Sequence, residues 1–389
     1  MATALLKSDC VLMHLLRLLI SSVVIFFVLY APQPILPLLS TQFSVSPATA
    51  GSLMTATMLP LAIAPLFYGL FLTRQNPLKI LKITMILLAI SCAFVPYINS
   101  FEYLFSIRLI QGFLLPAALT AMTTYIGKTY KNKQLQRNMT LYIASTIVGG
   151  FFGRVLSASF AELLQWQDFY FVMAITLCIF ALFIKINKDF KAGIAVSILS
   201  HLKDVKHPRL IKTYCAVFCM FFCFAAILNY LPFILRDNFA IKSTQNIGLV
   251  YIAYLIGALA SILSPWLVKK RPNTFSLLSG IFVIYCCSIV MMLPQNFISF
   301  FIAFAVFCGA MFIIHSIAAP LVNRISNATA SVTNGLYVSF YYSGGALGSY
   351  LPGLVYQGLG QQVFLLLILS VCLIGLGLVY SARAGTEIT

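Results

Sequence analysis

A chain of 389 residues with 61% hydrophobic and only 8% charged residues falls outside the class of ordinary soluble proteins, in which about a quarter of the residues are charged. Its apolar runs are continuous, which argues against an outer-membrane barrel. Its net charge is +17, but the chain has no basic soluble domain that would bind nucleic acid. At roughly 30 residues for each span and its loop, the chain has room for about twelve membrane helices.

The apolar runs predict an all-α membrane protein, and short segments with helix breakers, such as Ser46-Pro47 and Asn76-Pro77, separate them. The first run continues past Tyr30 without a small-residue cleavage site, so we interpret it as a retained helix and not as a signal peptide. The predicted spans are 16–38, 48–72, 79–98, 102–126, 139–161, 169–186, 210–235, 246–268, 274–293, 297–322, 331–356 and 362–381.

The distribution of basic residues predicts the orientation of the chain. Of the 25 Lys and Arg residues, Arg236 and Lys242 fall in predicted outer loops and Arg108 and Arg154 fall within spans, whereas all the others fall in inner segments. Because positive charge is retained on the cytoplasmic side, this bias predicts an even number of helices with both termini in the cytoplasm. The expected location is a bacterial inner membrane.

The chain is predicted to divide into two six-helix bundles, 1–187 and 210–389, joined by a polar cytoplasmic loop at 188–209. An internal repeat supports this division, because Leu141-Tyr142 and the glycines after it recur 195 residues later as Leu336-Tyr337 and a second set of glycines. Two bundles of equal orientation are related by an axis along the membrane normal. The repeated glycines are predicted to allow close helix contact and gating movements; they are Gly149, Gly150, Gly153, Gly344, Gly345 and Gly348.

Arg108 is the most conspicuous residue, because a guanidinium at the centre of a membrane helix costs about 2.5–3.5 kcal/mol on insertion scales. We expect it to face a watered cavity or an anionic partner, with Gln111 one turn away on the same face. The alternative is a structural arginine that binds carbonyl groups. Arg154 lies nearer the outer end of its span, where a long side chain can snorkel to the interface. The alternative is that Arg154, like Arg108, contributes positive charge to the cavity.

Polar side chains concentrate in the first, fourth, fifth, seventh, tenth and eleventh spans, whereas the third, sixth, ninth and twelfth are almost purely apolar. This division predicts a central polar cavity between the bundles, with the third, sixth, ninth and twelfth spans facing lipid. The predicted substrate-binding residues are Tyr30, Gln33, Arg108, Gln111, Asn229, Tyr337 and Tyr341. His315 is the one histidine deep in a span, so we assign proton coupling to His315 and Arg108, with a helix–helix hydrogen bond as the alternative for the histidine.

The motif Arg108-x-x-Gln111-Gly112 resembles the fourth-helix motif of the major facilitator superfamily, and the likeness covers essentially the whole chain. Gly69 to Arg74 resembles the signature between the second and third helices of that family, with Thr73 in place of its aspartate, and implies a gating role for Gly69 and Arg74. Gly149 to Gly153 is similar to the antiporter glycine motif, with Arg154 where proline is customary. The resemblance is to bacterial twelve-helix proton-linked exporters of drugs and metabolites, and it implies proton coupling through the motif arginine.

All eight acidic residues fall in loops or near span ends, so no carboxylate is predicted deep in the cavity. We therefore expect a monomeric secondary active transporter that exports a neutral or anionic solute in exchange for protons. The alternatives are a proton-coupled importer of an organic acid or siderophore-like solute, a polytopic membrane enzyme, and a solute sensor. No cofactor or metal is predicted, because the cysteines form no CxxC pair and no clustered catalytic or metal-binding constellation is visible.

Overall fold

A computed structural model describes residues 2–72, 75–186, 207–270 and 273–383, and every regular element in these ranges is helical. The predicted central loop at 188–209 lies almost entirely outside the described residues, as does Arg74. The helices are α1 Ala2–Tyr30, α2 Pro32–Gln42, α3 Pro47–Leu72, α4 Pro77–Phe94, α5 Phe101–Thr129, α6 Asn132–Leu163, α7 Trp166–Phe183, α8 Pro208–Phe239, α9 Thr244–Val250, α10 Ile252–Ala260, α11 Ser264–Lys270, α12 Thr274–Met291, α13 Phe297–Ile325 and α14 Ala330–Arg383.

Twelve spans account for these helices. Within the described residues, ten helical segments are long and apolar enough to cross a membrane, and the bent series α9 to α11 adds an eleventh. The twelfth comes from α14, whose 54 residues would extend about 80 Å as one helix, far beyond a hydrocarbon core of about 30 Å. Gly360 divides α14. Its backbone has φ 78° and ψ −177°, a conformation that residues other than glycine rarely adopt. The all-helical fold predicted from the sequence is confirmed.

The first span is broken at Ala31, between α1 and α2. Pro32 and Pro34 have no backbone N–H, so the carbonyls of Val28 and Tyr30 lose their usual helical donors. The side chains of other helices supply donors to this break, as described below. The sequence prediction of one continuous helix over 16–38 missed this interruption.

The repeated glycines make equivalent contacts in the two bundles. A methyl group on Gly149 would lie 2.6 Å from the Val23 carbonyl oxygen, and one on Gly344 would collide with the carbonyl of Phe218. Gly153 faces the backbone of Phe27 in the same way, and Gly348 faces that of Phe222. Each pair of equivalent positions differs by 195 residues, so the sequence repeat corresponds to a repeated helix contact, α6 on α1 and α14 on α8.

The two faces of the molecule can be told apart by their connections. Lys212 near the start of α8 donates to the carbonyl of Ser381 near the end of α14 (3.3 Å), and we call this face the terminal face. Because successive spans alternate in direction, the connections at 43–46, 98–100, 164–165, 240–243 and 292–296 lie at the opposite face, which we call the distal face.

The bundles are joined tightly in the distal half. Thr244 N–H donates to the Glu162 carboxylate (2.7 Å), and Arg236 donates to the Pro37 carbonyl (3.4 Å). Deeper in the membrane, the Thr55 hydroxyl donates to the Ala346 carbonyl (2.7 Å), where α3 packs along α14. These contacts close the interface between the bundles toward the distal face.

Large apolar side chains are exposed along the spans that the sequence assigned to lipid. Ile83, Leu87 and Phe94 on α4 are between 43% and 60% exposed, and Ile175 and Leu182 on α7 are 47% and 66% exposed. Equivalent exposed side chains occur on α12 and on the second half of α14. Surfaces of this kind are stable in contact with lipid chains, which agrees with the predicted arrangement.

Candidate functional site

Arg108 is completely buried inside the first bundle, where it supports the break in the first span. One guanidinium nitrogen donates to the Val28 carbonyl and to Gln111 Oε1 (2.8 Å each), and the other donates to the Leu29 carbonyl (2.8 Å). Val28 is the carbonyl that Pro32 deprives of its helical donor, so Arg108 replaces a missing backbone hydrogen bond. The expectation that Arg108 faces a watered cavity is corrected by this geometry, because its guanidinium donates to carbonyls, to an amide and, at 3.4 Å, to the Thr57 hydroxyl.

Gln111 completes this support. Its amide nitrogen donates to the Ser91 hydroxyl (3.1 Å), while its oxygen accepts the hydrogen bond from Arg108. These hydrogen bonds join α4, α5 and α1, and none of them involves a described residue of the second bundle. The cargo-binding and proton-coupling roles expected for Arg108 and Gln111 remain predictions that these contacts leave untested.

Arg154 occupies the interface between the bundles and is also completely buried. The expectation that it snorkels toward the outer interface is wrong, because its side chain points into the protein. Arg154 Nε donates to Gln33 Oε1 (2.6 Å), and a terminal nitrogen donates to the Gly150 carbonyl (2.6 Å). The amide nitrogen of Gln33 in turn donates to Asn229 Oδ1. This chain of hydrogen bonds connects α6 and α2 of the first bundle with α8 of the second.

Three tyrosine rings surround the Arg154 guanidinium. Its central carbon lies 4.1 Å from the ring centre of Tyr30, 4.7 Å from that of Tyr254 and 5.2 Å from that of Tyr251. A cation over aromatic rings is stabilised by about 2 kcal/mol or more where water is excluded. Tyr30 belongs to the first bundle and the other two tyrosines to the second, so the cage exists only when the bundles are together. We call Arg154, Gln33, Asn229, Tyr30, Tyr251 and Tyr254 the arginine cage.

Tyr251, like Arg108, donates to a backbone carbonyl that a proline leaves without its helical donor. Its hydroxyl donates to the Leu228 carbonyl (2.7 Å), whose usual helical donor would be the absent N–H of Pro232. A proline in α8 therefore creates the acceptor that orients the ring toward Arg154.

Aromatic residues continue from the arginine cage toward the terminal face. Phe312 lies edge-on to Tyr254 with ring centres 5.1 Å apart, and Tyr341 stacks on Phe221 at 3.6 Å. Tyr341 also lies 5.0 Å from the His315 ring, and the Tyr337 hydroxyl is 2.8 Å from His315 Nδ1. Tyr341 and His315 are half-buried, in contrast to the completely buried arginine.

The structure thus brings together five of the predicted substrate-binding residues, in two neighbouring groups. Tyr30, Gln33 and Asn229 belong to the arginine cage, and Tyr337 and Tyr341 lie beside His315. Of the predicted gating residues, Gly150 lies against the cage, because a methyl group there would be 3.2 Å from the Tyr254 hydroxyl and 3.3 Å from Arg154. Gly345 lies against Phe221 and Met58. Gly69 lies in α3, and the gating role of all these glycines remains a prediction.

The sequence interpretation missed Tyr251 and Tyr254. Their spacing of three residues places both on one face of a helix, within a span that is otherwise apolar, and this signal could have identified them. Phe221, Phe224 and Phe312 gave no such signal, because aromatic residues are abundant throughout the chain.

The four carboxylates whose side chains are described lie outside the arginine cage. Glu102, Glu162, Asp168 and Asp237 are exposed and lie at the distal ends of their helices. The one ion pair between described residues joins Arg236 to Asp237 (3.1 Å). The partners of the Arg154 guanidinium among the described residues are therefore neutral.

The Major Facilitator Superfamily model matches residues 18–349, and the chain belongs to this family of membrane transporters. A transporter from Buchnera aphidicola subsp. Schizaphis graminum is 24% identical over 361 residues, which are 90% of this chain and 87% of the relative. A multidrug efflux protein of Bacillus subtilis is 23% identical over 83% of this chain and 81% of its own length.

Solved structures agree on the fold. An inward-facing, occupied bacterial homologue of the human lysosomal transporter Spinster superposes with a TM-score of 0.77 at 14% identity, over 95% of this chain and 96% of that one. The twelve-helix, two-bundle arrangement predicted from the sequence is therefore confirmed, and the family match makes the protein a multi-span membrane transporter.

Proposed function

We propose that this protein is a proton-coupled exporter that moves a small neutral or anionic solute across a bacterial inner membrane by alternating access. The observation that supports this most directly is a buried cation, Arg154, between the two bundles. The carboxylates whose side chains are described all lie outside the arginine cage, at exposed positions near the distal face. A cationic solute would be repelled by such a site, because charges in a water-excluded interior interact strongly. The charge bias of the loops supports a cytoplasmic location for both termini.

The closed distal half and the half-buried aromatic residues toward the terminal face support alternating access. In this proposal the cargo enters from the terminal face, contacts Tyr337 and Tyr341, and reaches the arginine cage. Opening then requires separation of the contacts between Thr244 and Glu162 and between Thr55 and Ala346. Arg108 and Gln111 maintain the break in the first span, which places Tyr30 and Gln33 at the interface.

Proton coupling is assigned to His315, whose Nδ1 is 2.8 Å from the Tyr337 hydroxyl in the half-buried aromatic region. A histidine is the side chain whose ordinary titration range includes neutral pH. Its position beside the route of the cargo would allow proton binding to alter the hydrogen bonding that the cargo meets. Export, as the direction of net flow, is supported by the multidrug efflux protein among the relatives.

The test is flux into proteoliposomes that contain the purified protein. A proton gradient is imposed, and uptake of acidic, neutral and cationic solutes is compared with and without a protonophore. We expect gradient-dependent flux of neutral or acidic solutes. A strong preference for lipophilic cations would contradict the cargo class, and gradient-independent flux of every solute would contradict proton coupling.

A further inference from the structure

We propose that Arg154 anchors a carboxylate group of the cargo, and that this carboxylate takes the place that Gln33 Oε1 occupies in the structure. The inference rests on the proposed transport of neutral or anionic solutes and narrows it to carboxylic acids with an aromatic or apolar body.

The charge of Arg154 has no anionic partner among the described residues. Its hydrogen bonds to Gln33 and to the Gly150 carbonyl use neutral acceptors, each at 2.6 Å, and its faces meet the rings of the arginine cage. A buried guanidinium gains most from a carboxylate, which accepts two parallel hydrogen bonds from its planar fork. The site is therefore electrostatically incomplete until an anion enters it.

A second donor at the same place lacks a partner. Asn229 is completely buried, its oxygen accepts from Gln33, and its amide nitrogen Nδ2 has no hydrogen-bond partner within the described part of the chain. Buried donors without acceptors are rare in native proteins and call for an explanation. An incoming carboxylate would satisfy both Arg154 and this amide once Gln33 is displaced.

The hydrogen-bond acceptors of Arg108 and Arg154 differ, and this difference gives the two buried arginines different roles. Its terminal nitrogens are bound to the carbonyls of Val28 and Leu29, which are parts of the backbone of its own bundle. The principal side-chain partner of Arg154 is instead the Gln33 amide, at the boundary between bundles. A side-chain amide can be displaced by rotation, whereas a backbone carbonyl at a helix break cannot.

The aromatic residues around Arg154 indicate the chemistry of the rest of the cargo molecule. Tyr30 and Tyr254 face the guanidinium, and Phe312, Tyr341 and Phe221 continue the aromatic lining toward the terminal face. Rings of this kind pack against flat apolar groups. The geometry favours an aromatic monocarboxylate over a small hydrophilic acid.

The test compares acids with their own amides, which have nearly the same shape and no charge. Benzoate, salicylate and cinnamate are paired with benzamide, salicylamide and cinnamamide, and their dissociation constants for the purified full-length protein are measured by titration calorimetry. In the wild-type protein we expect at least one acid to bind about tenfold more tightly than its amide, because a charge-assisted hydrogen bond contributes at least that factor.

Two variants remove the preference by different routes. Arg154→Gln removes the cation, and Gln33→Glu supplies a carboxylate within the chain that occupies it, so both should bring each acid and its amide to within about twofold. Arg137→Gln is the matched control, since it removes an exposed arginine from the same helix at a distance of about 25 Å. It should leave the tenfold preference unchanged.

The inference is overturned if no acid binds more tightly than its amide, or if the preference survives in Arg154→Gln and Gln33→Glu. Because binding is measured without a gradient, this result is independent of the flux assay. A carboxylate preference without proton-driven flux would reject the proposed function alone, and flux without the preference would reject this inference alone.

Discussion

The replacement of Arg108 by methionine tests whether this arginine substitutes for a hydrogen bond that Pro32 removes. The variant Arg108→Met loses donors to the carbonyls of Val28 and Leu29 and to the amide oxygen of Gln111. At about 1 kcal/mol for each bond, we expect the free energy of unfolding to fall by about 3 kcal/mol. The loss of a buried charge offsets part of this cost, so the single variant alone is a weak test.

The decisive measurement is a double-mutant cycle with Pro32→Ala. This second change restores a backbone N–H at position 32, which can donate to the Val28 carbonyl through an ordinary helical bond. In that background Arg108→Met should cost about 2 kcal/mol instead of about 3, because one of the three acceptors at 2.8 Å has regained a donor. The expected coupling of about 1 kcal/mol exceeds the usual additivity error of about 0.3–0.5 kcal/mol.

The assay is reversible unfolding in mixed micelles with increasing dodecyl sulfate, followed by circular dichroism, for the wild type, both single variants and the double variant. Arg108→Lys provides the control for charge, because one ammonium group retains the charge without the planar fork that reaches both carbonyls. If the effects of Arg108→Met and Pro32→Ala add within about 0.3 kcal/mol, the arginine does not replace the missing bond and the reasoning fails.

Three further predictions follow from single positions. Gly348→Ala should destabilise the protein by about 1–3 kcal/mol in the same assay, because the added methyl group collides with the backbone of α8. Gly377→Ala in the same helix is the control and should be neutral, because its methyl group meets nothing within 4 Å. Equal effects of the two variants would contradict the close contact. Gly360→Ala should lower the free energy of unfolding by about 1–3 kcal/mol, because a φ of 78° is strained for any residue with a side chain. Gly358→Ala, whose methyl group would lie in open space nearby, is its control. Unchanged stability of Gly360→Ala would show that the break tolerates a side chain. His315→Gln should flatten the pH dependence of transport in proteoliposomes, since glutamine cannot titrate near neutral pH, and an unchanged profile would remove His315 as the proton carrier.

Several features of this protein could be predicted from the order of residues along the chain. Continuous apolar runs determine where helices cross a membrane, because the bilayer requires about 20 apolar residues for each span. The repeat of glycines at 149 and 153 as 344 and 348 predicted a repeated contact, and the structure supplies it as close approach to Val23, Phe27 and their counterparts in the second bundle. These properties depend on local composition and periodicity, which a single chain displays directly.

The roles of the two buried arginines were decided by the tertiary structure. Sequence position favoured Arg108 as the central residue and favoured an interfacial position for Arg154. In the structure Arg108 is bound to carbonyls within one bundle, and Arg154 lies between the bundles. The difference depends on which helices meet, and on proline residues in α2 and α8 that free carbonyls for partners far away in the chain. A sequence shows that a charge is buried in a membrane. Only the packing of the helices shows which groups surround it, because partners such as the carbonyls of Val28 and Leu29 and the Gln33 amide lie 79 to 121 positions away in the chain.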